Sequence, residues 1–453
     1  MLFETRGRAS EAEVVSDREG TVHVFWSAQP PDDSVGSRID SIYTVRLADG
    51  LWSSAVDILV SPEGRVARNH SVAVDNDGYL HIAWSGGNAI YYSQAHVSRS
   101  LDPSAWTEPY LLSGGQNHLE PDIAVGNAGQ VYVVWTQSGS GLRLAISGDG
   151  GRSWDGPRTI FEAPGGSELA RWGRLSVDAA GRLHVGLTHV VSNSSEEGPS
   201  ELNHLYYLRS DDGGLSWTSP FRVETEPDYG ELNLTTFGDT VHLVYNGRAY
   251  LEGRYHRWSS DGGVTWSPAE TIVAPDSGES AGQGGLNGFP ALVVDRQGTL
   301  HVVASADAGV FYLYLQNGNW SQPELISPAI AGTGLTGRTR SLEQPAVALA
   351  SGNMLQAVFH DGFERIWYTS GTLDLAEEPE AAYVPEDVAG ESVEPTVTQA
   401  PVLGEASPTT VPSTLLAGEP PAQETFSPLL FGILMAFVLL AIVVLGSRRG
   451  RTR

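Results

Sequence analysis

The 453-residue chain contains no cysteine and no lysine. The first absence excludes thiolate nucleophiles, iron-sulfur clusters, cysteine-ligated zinc and disulfides. The second makes every one of the 27 lysine-plus-arginine positions an arginine, which excludes Schiff-base and P-loop lysine chemistry. Cations are scarce overall. Against 54 acidic residues they leave a formal net charge of -27, so no nucleic-acid surface is expected, and binding to anionic lipid is disfavoured on the same ground. Helix signals are few through residue 370. In their place stand short apolar runs rich in Val, Tyr, Ile and Trp, punctuated by turn residues that include many of the 52 Gly and 26 Pro, as an all-β chain requires.

One eight-residue stretch is present in three copies: SGDGGRSW from Ser147 to Trp154, SDDGGLSW from Ser210 to Trp217, and SSDGGVTW from Ser259 to Trp266. All fit S-x-D-x-G-x-x-W, and internal repetition of this kind decides architecture. In each copy an aspartate (Asp149, Asp212, Asp261) is placed to accept backbone N–H groups of its own turn. A glycine (Gly151, Gly214, Gly263) supplies the freedom a tight turn needs, and a tryptophan (Trp154, Trp217, Trp266) anchors the hairpin on the sheet behind it. This is the Asp-box, and through it the chain resembles the sialidase-like, BNR-repeat β-propeller superfamily. In that family the motif sits on the outer, non-catalytic side of the blades, so the resemblance implies a fold and does not locate a site. Backbone hydrogen bonding is the preferred role for these aspartates over calcium ligation, and neither a metal nor a cofactor is expected.

A second repeat runs beneath the first. A glycine followed by a short apolar strand recurs as GTVHVFW, GYLHIAW, GQVYVVW, GRLHVGL, GDTVHLVY, GTLHVVA and GNMLQAVF, ending at Trp26, Trp84, Trp135, Leu187, Tyr245, Ala304 and Phe359. The intervals of 58, 51, 52, 58, 59 and 55 residues predict seven four-stranded antiparallel blades, with six blades, the sialidase number, as the alternative. The histidines His23, His81, His184, His242 and His301 occupy one equivalent place in five blades. They are therefore spread around the ring, which favours a structural role over metal ligation. Degenerate hairpins keep an anchor at Trp52, Trp106 and Trp320, and only the last blade has none. MLFETRG matches the outer strands PRTIFEAPG and PFRVETEP in register, so Met1 to Glu4 is predicted to supply the fourth strand of blade seven and close the ring. On that reading the equivalent of the preceding hairpin would lie before Met1, and an upstream start encoding a signal segment is expected.

The propeller is expected to occupy residues 1–374. Residues 375–427, rich in Glu, Pro, Thr, Ala and Ser, read as a disordered stalk. Residues 428–446 carry no charge. At 1.5 Å per residue they would span about 28 Å, near the ~30 Å of a bilayer core. The Arg-rich tail 447–453 then predicts a single-pass membrane protein with a cytoplasmic C-terminus and an extracellular propeller.

Loops entering the inner strands converge at one mouth of a propeller. They bring Arg6 and Arg8, Arg68 and His70, His118 and Glu120, Glu168, Arg171 and Arg174, Tyr229, Glu231 and Asn233, Gln283 and Asn287, and Arg338, Arg340 and Glu343. Sialidases, which the hairpins resemble, hold a carboxylate with three arginines and use a glutamate-activated tyrosine. On that resemblance Arg68, Arg171, Arg174 and Arg340 are the candidate carboxylate-binding arginines and Glu120 the activating glutamate; Tyr229 as nucleophile, and Glu231 and Glu343 as substrate-binding residues, are taken from their place at the mouth alone, since no nucleophilic tyrosine is carried over by motif. The family's F/Y-R-I-P string is absent, and no acid/base aspartate carries over. The leading expectation is accordingly a membrane-anchored propeller that binds a glycan or cell-surface protein without turnover. An exo-α-sialidase-type hydrolase and a scaffold for membrane-complex assembly are the alternatives.

Overall fold

A computed structural model describes residues 1–4, 9–28, 41–62, 66–114, 118–137, 141–163, 168–192, 201–224, 231–246, 254–273, 289–306, 309–328, 343–351, 353–361 and 365–373. The expected stalk, membrane span and tail lie outside them. Among the described residues no helix is long and apolar enough to cross a membrane.

Seven separate antiparallel sheets follow one another along the chain, each a blade of four strands. Their first strands are Ala9–Ser16, Ala67–Val74, His118–Val125, Leu169–Val177, Leu232–Phe237, Ala291–Val294 and Glu343–Ala350. In blades one and six the outer edge is broken, with a two-residue ladder (Leu51–Trp52, Asn319–Trp320) preceding the fourth strand. The second strands carry almost uninterrupted burial, as in Val22–Ala28 and Val131–Gln137, because neighbouring blades cover both faces.

Ring closure is made as the sequence predicts. Phe3 pairs with Ile366 and Glu4 with Arg365, placing the N-terminal strand on the outside of blade seven. Leu2 N–H donates to the Ile366 carbonyl at 2.8 Å, Arg365 Nε donates to Glu4 at 2.9 Å, and the Phe3 ring rests 4.7 Å from Trp26 of blade one.

The repeated hairpins are seam fillers. In each, one carboxylate oxygen accepts the serine hydroxyl two residues earlier and the backbone N–H four residues later, both near 2.8 Å, while the other oxygen takes a hydroxyl from Ser153, Ser216 or Thr265. These donors pull the carboxyl groups of Asp149 and Asp212 down to about 2, and that of Asp261 lower still. The tryptophans reach beyond their own sheet to the preceding blade: Trp154 stands edge-on to Tyr92 at 4.8 Å and Trp266 to Tyr207 at 4.7 Å. Trp217 joins the cluster holding Tyr132 and Leu144 of blade three. The degenerate copies do the same, with Trp52 on Tyr368, Trp106 on Phe25 and Trp320 on His256. Six tryptophans thus occupy six seams. At the remaining seam, between blades six and seven, Trp367 of a third strand packs with Val303, Val310 and Phe359.

The strand histidines belong to local relays. His81, His184 and His301 each place Nε2 3.1–3.2 Å from an aspartate (Asp75, Asp178, Asp295) and Nδ1 2.7–2.8 Å from a tyrosine hydroxyl (Tyr92, Tyr207, Tyr312). The same aspartates accept the backbone N–H groups of the tight turn joining first and second strands, so one carboxylate fixes both turn and imidazole.

Candidate functional site

Among the described residues five of the seven first strands show a one-residue bulge at their entry. The register slips between Ser10 and Glu13, Arg68 and Ser71, Leu119 and Asp122, Arg171 and Arg174, and Glu343 and Ala346. Each bulge holds a non-glycine residue in the left-handed region: Glu11 at φ 58°, Asn69 at 49°, Glu120 at 56°, Trp172 at 51° and Gln344 at 46°. Such backbone costs about 1–2 kcal/mol per residue, and repeated strain of this kind concentrates at functional sites. The bulge re-aims side chains that a regular strand would direct elsewhere.

The result is a cavity of about 220 Å³ on the axis, lined from all seven first strands. Its side chains fall into two layers. Glu11, Asn69, Glu120, Trp172, Phe289 and Gln344 form the outer layer, and Glu13, Asp122, Arg174, Asn233, Ala291 and Ala346 the inner one. The two walls differ in character. Blades one to four contribute the carboxyl groups, Asn69, His70, Arg174 and one ring, Trp172, whereas blades six and seven contribute Phe289, Pro290, Leu292, Pro345 and Val347 with one amide, Gln344.

Bonds between neighbouring blades hold the layers in place. The Glu11 carboxylate accepts the Asn69 N–H, and that of Glu120 accepts the Trp172 N–H at 3.2 Å. Asp122 accepts the Ser71 hydroxyl at 2.8 Å and the Leu175 N–H at 2.7 Å, joining blades two, three and four. Asn233 Nδ2 donates to the Pro290 carbonyl at 2.9 Å. From the second strands, Ser27 and Thr136 hydroxyls reach Glu11 and Glu120.

Arg174 is the one arginine lining the cavity among the described residues. Its guanidinium lies 4.1 Å over the Phe289 ring and 4.0 Å from Asp122. Trp172 stands edge-on to Phe289 at 5.8 Å. Glu13 is half-buried, and it lines the cavity. Loss of solvation pushes its carboxyl up to about 8; Arg174 opposes this, and Asp122 and Glu11 reinforce it. The shift favours the neutral carboxylic acid, which can donate a hydrogen bond, over the carboxylate near pH 7. Burial pulls His70 down to about 4, so its imidazole is neutral, with Nδ1 3.1 Å from the Ser27 hydroxyl.

Of the residues named from sequence, Glu120 and Arg174 meet in this cavity, with His70 and Asn233. Arg68 pairs with Ser85, and Arg171 lies 5.8 Å from the Trp172 ring; neither lines the cavity. Glu231 accepts from Asn246 Nδ2 at 3.1 Å. Tyr229 and Arg340 lie outside the described residues, as does the side chain of Glu343. The described partners of Glu120 are the Trp172 amide and the Thr136 hydroxyl. The sequence reading passed over Glu11, Glu13, Asn69, Asp122, Trp172, Phe289 and Gln344. A usable signal existed: counting back six and four residues from the turn aspartates Asp17, Asp178 and Asp295 lands on Glu11 and Glu13, Trp172 and Arg174, and Phe289 and Ala291, all of which line the cavity.

No model of a known protein family matches the sequence, and no curated protein matches it. Solved structures do. An ulvan lyase of polysaccharide lyase family PL25, bound to -[GlcA(1-4)Rha3S]-, aligns over 81% of this chain and 94% of its own at 12% identity, with a TM-score of 0.54. The sialidase of Trypanosoma rangeli aligns over 80% of this chain and 55% of its own (12% identity, TM-score 0.45), and a Dyadobacter fermentans protein of unknown function over 82% and 96% (15% identity, TM-score 0.48). At these identities the likeness is one of fold.

Proposed function

We propose that this chain is a carbohydrate-binding propeller that holds the end of a glycan in the axial cavity without turning it over. The observation that carries the reading is the two-faced cavity. A sugar presents hydroxyls at its edge and C–H groups on its faces. Amide, carboxyl and guanidinium groups on blades one to five suit the edge, and the Phe289 and Trp172 rings suit a face. Binding without turnover is favoured because the carboxylates of Glu11, Glu120 and Asp122 already accept backbone and hydroxyl donors from adjacent strands.

The uncharged run 428–446 and its arginine tail support display of the propeller outside a membrane, with a glycan or glycosylated surface protein as partner. The test is a panel of immobilised glycans probed with the full chain, together with a fluorogenic sialoside. Saturable binding weakened about tenfold by Trp172→Ala supports the proposal, by the usual worth of an aromatic contact. Release of the fluorophore would replace it with a sialidase-type hydrolase, and neither binding nor release would refute both.

A further inference from the structure

Resting on the glycan reading above, we infer that the cavity takes the uncharged, hydroxyl-bearing end of a sugar chain and rejects sugars that carry a carboxylate, with Glu13 as the specificity-determining residue. The argument is one of charge and placement. Among the described residues four carboxyl groups line the space, from Glu11, Glu13, Glu120 and Asp122, against one guanidinium, that of Arg174. That guanidinium already faces Asp122 at 4.0 Å and is stacked on Phe289, so it is not held out as a fork for an incoming carboxylate. His70 offers no compensating charge, since its ring is neutral. No charged side chain lines the cavity from blades five, six or seven among the described residues.

Glu13 lines the same space as Asp122 and Arg174, both of which act on its carboxyl group, with Glu11 two residues away on its own strand, His70 on blade two and Glu120 on blade three. No hydrogen bond to its carboxyl group is seen among the described residues. As a neutral acid it donates to a sugar oxygen; once ionised it repels further negative charge and has no proton to donate. A carboxylate-bearing sugar would enter against Glu11, Glu120 and Asp122 and would discourage Glu13 from ionising. A hydroxyl meets no such opposition.

The experiment compares gluco-, galacto- and manno-oligosaccharides with the corresponding glucuronate, galacturonate and mannuronate oligomers, which differ at C6 alone, for binding to the full chain. The hexose member of at least one pair is expected to bind about tenfold tighter or more, the scale set by one like-charge contact. Its affinity is expected to fall between pH 7 and 9, and the Glu13→Gln variant, neutral at both values, to show no such fall. A uronate bound as tightly as its hexose, or tighter, overturns the inference while leaving glycan binding intact. Binding of no sugar at all removes the glycan reading itself. If Glu13→Gln does not fold, the hexose-to-uronate ratio and the pH profile of the unaltered chain decide alone, and a flat profile refutes the role of Glu13.

Discussion

Each hairpin is wedged against the blade before it, and two adjacent glycines of one hairpin measure how much that wedge contributes. Gly150 and Gly151 both have positive φ, 73° and 83°. A Cβ on Gly150 would meet nothing nearer than the Gly129 carbonyl at 4.0 Å, whereas a Cβ on Gly151 would lie 1.8 Å from the Tyr92 hydroxyl. Tyr92 cannot swing aside, because it is 1% exposed and its hydroxyl is held 2.7 Å from His81 Nδ1, which is itself tied to Asp75. Gly150→Ala should therefore cost only the backbone term, about 1–2 kcal/mol. Gly151→Ala adds the displacement of a packed ring, about 1–3 kcal/mol more. Gly263, 1.9 Å from the equally held Tyr207 hydroxyl, should behave like Gly151; Gly214, whose nearest atoms are leucine and isoleucine methyls, should fall between. Equilibrium denaturation of the variants reads the difference. Equal loss for Gly150→Ala and Gly151→Ala would refute the seam-filling role, since both share the backbone cost.

Other outcomes follow from the same architecture. Phe3→Ala removes a half-buried ring packed on Trp26 and Tyr43, and should cost about 1–2 kcal/mol and hasten limited proteolysis of the N-terminal strand. In blade five the relay is replaced by a histidine pair, His242 Nδ1 3.0 Å from His256 Nε2, and burial lowers these rings to about 4 and about 3. A depressed value gives stability that is whole above the unfolded value near 6.5 and lost as pH falls toward 4. The loss should amount to several kcal/mol by thermal melts, and His256→Tyr, which restores the histidine–tyrosine contact of blade four, should reduce it. Asp149 and Asp212, held near 2, act in the same direction at lower pH. Their contribution is present above about 4 and disappears as pH falls through 2, so Asp149→Asn should flatten the acid limb of the melting curve.

The blades were legible because their signals are local. Seven spaced strands, six hairpin tryptophans and the match between MLFE and the other outer strands suffice to count the ring and to place the N-terminal strand on blade seven, where Phe3 pairs with Ile366. The cavity was not, because its geometry rests on a conformation its residues do not advertise. Left-handed backbone is ordinarily marked by glycine, yet at the bulges it is adopted by Glu11, Asn69, Glu120, Trp172 and Gln344. A reading that looked for chemistry at the entry to the strands found Glu120 and Arg174, and missed Glu13 and Asp122, which occupy the same strand position as Arg174. The arginines sought for a carboxylate do not gather among the described residues, where only Arg174 lines the cavity.

The closing strand has a consequence in time. Glu4 and Arg365 are 361 residues apart. During synthesis the Phe3 segment leaves the ribosome long before the strand it pairs with exists, and until Ile366 emerges both the outer edge of blade seven and the seam between blades seven and one are open. Every earlier blade can form from contiguous chain as it appears, but the ring can close only once Ile366 has emerged. A chain stalled or cut before residue 365 would keep six complete blades and an unlatched Phe3, and such truncated products should be the ones that quality control recognises.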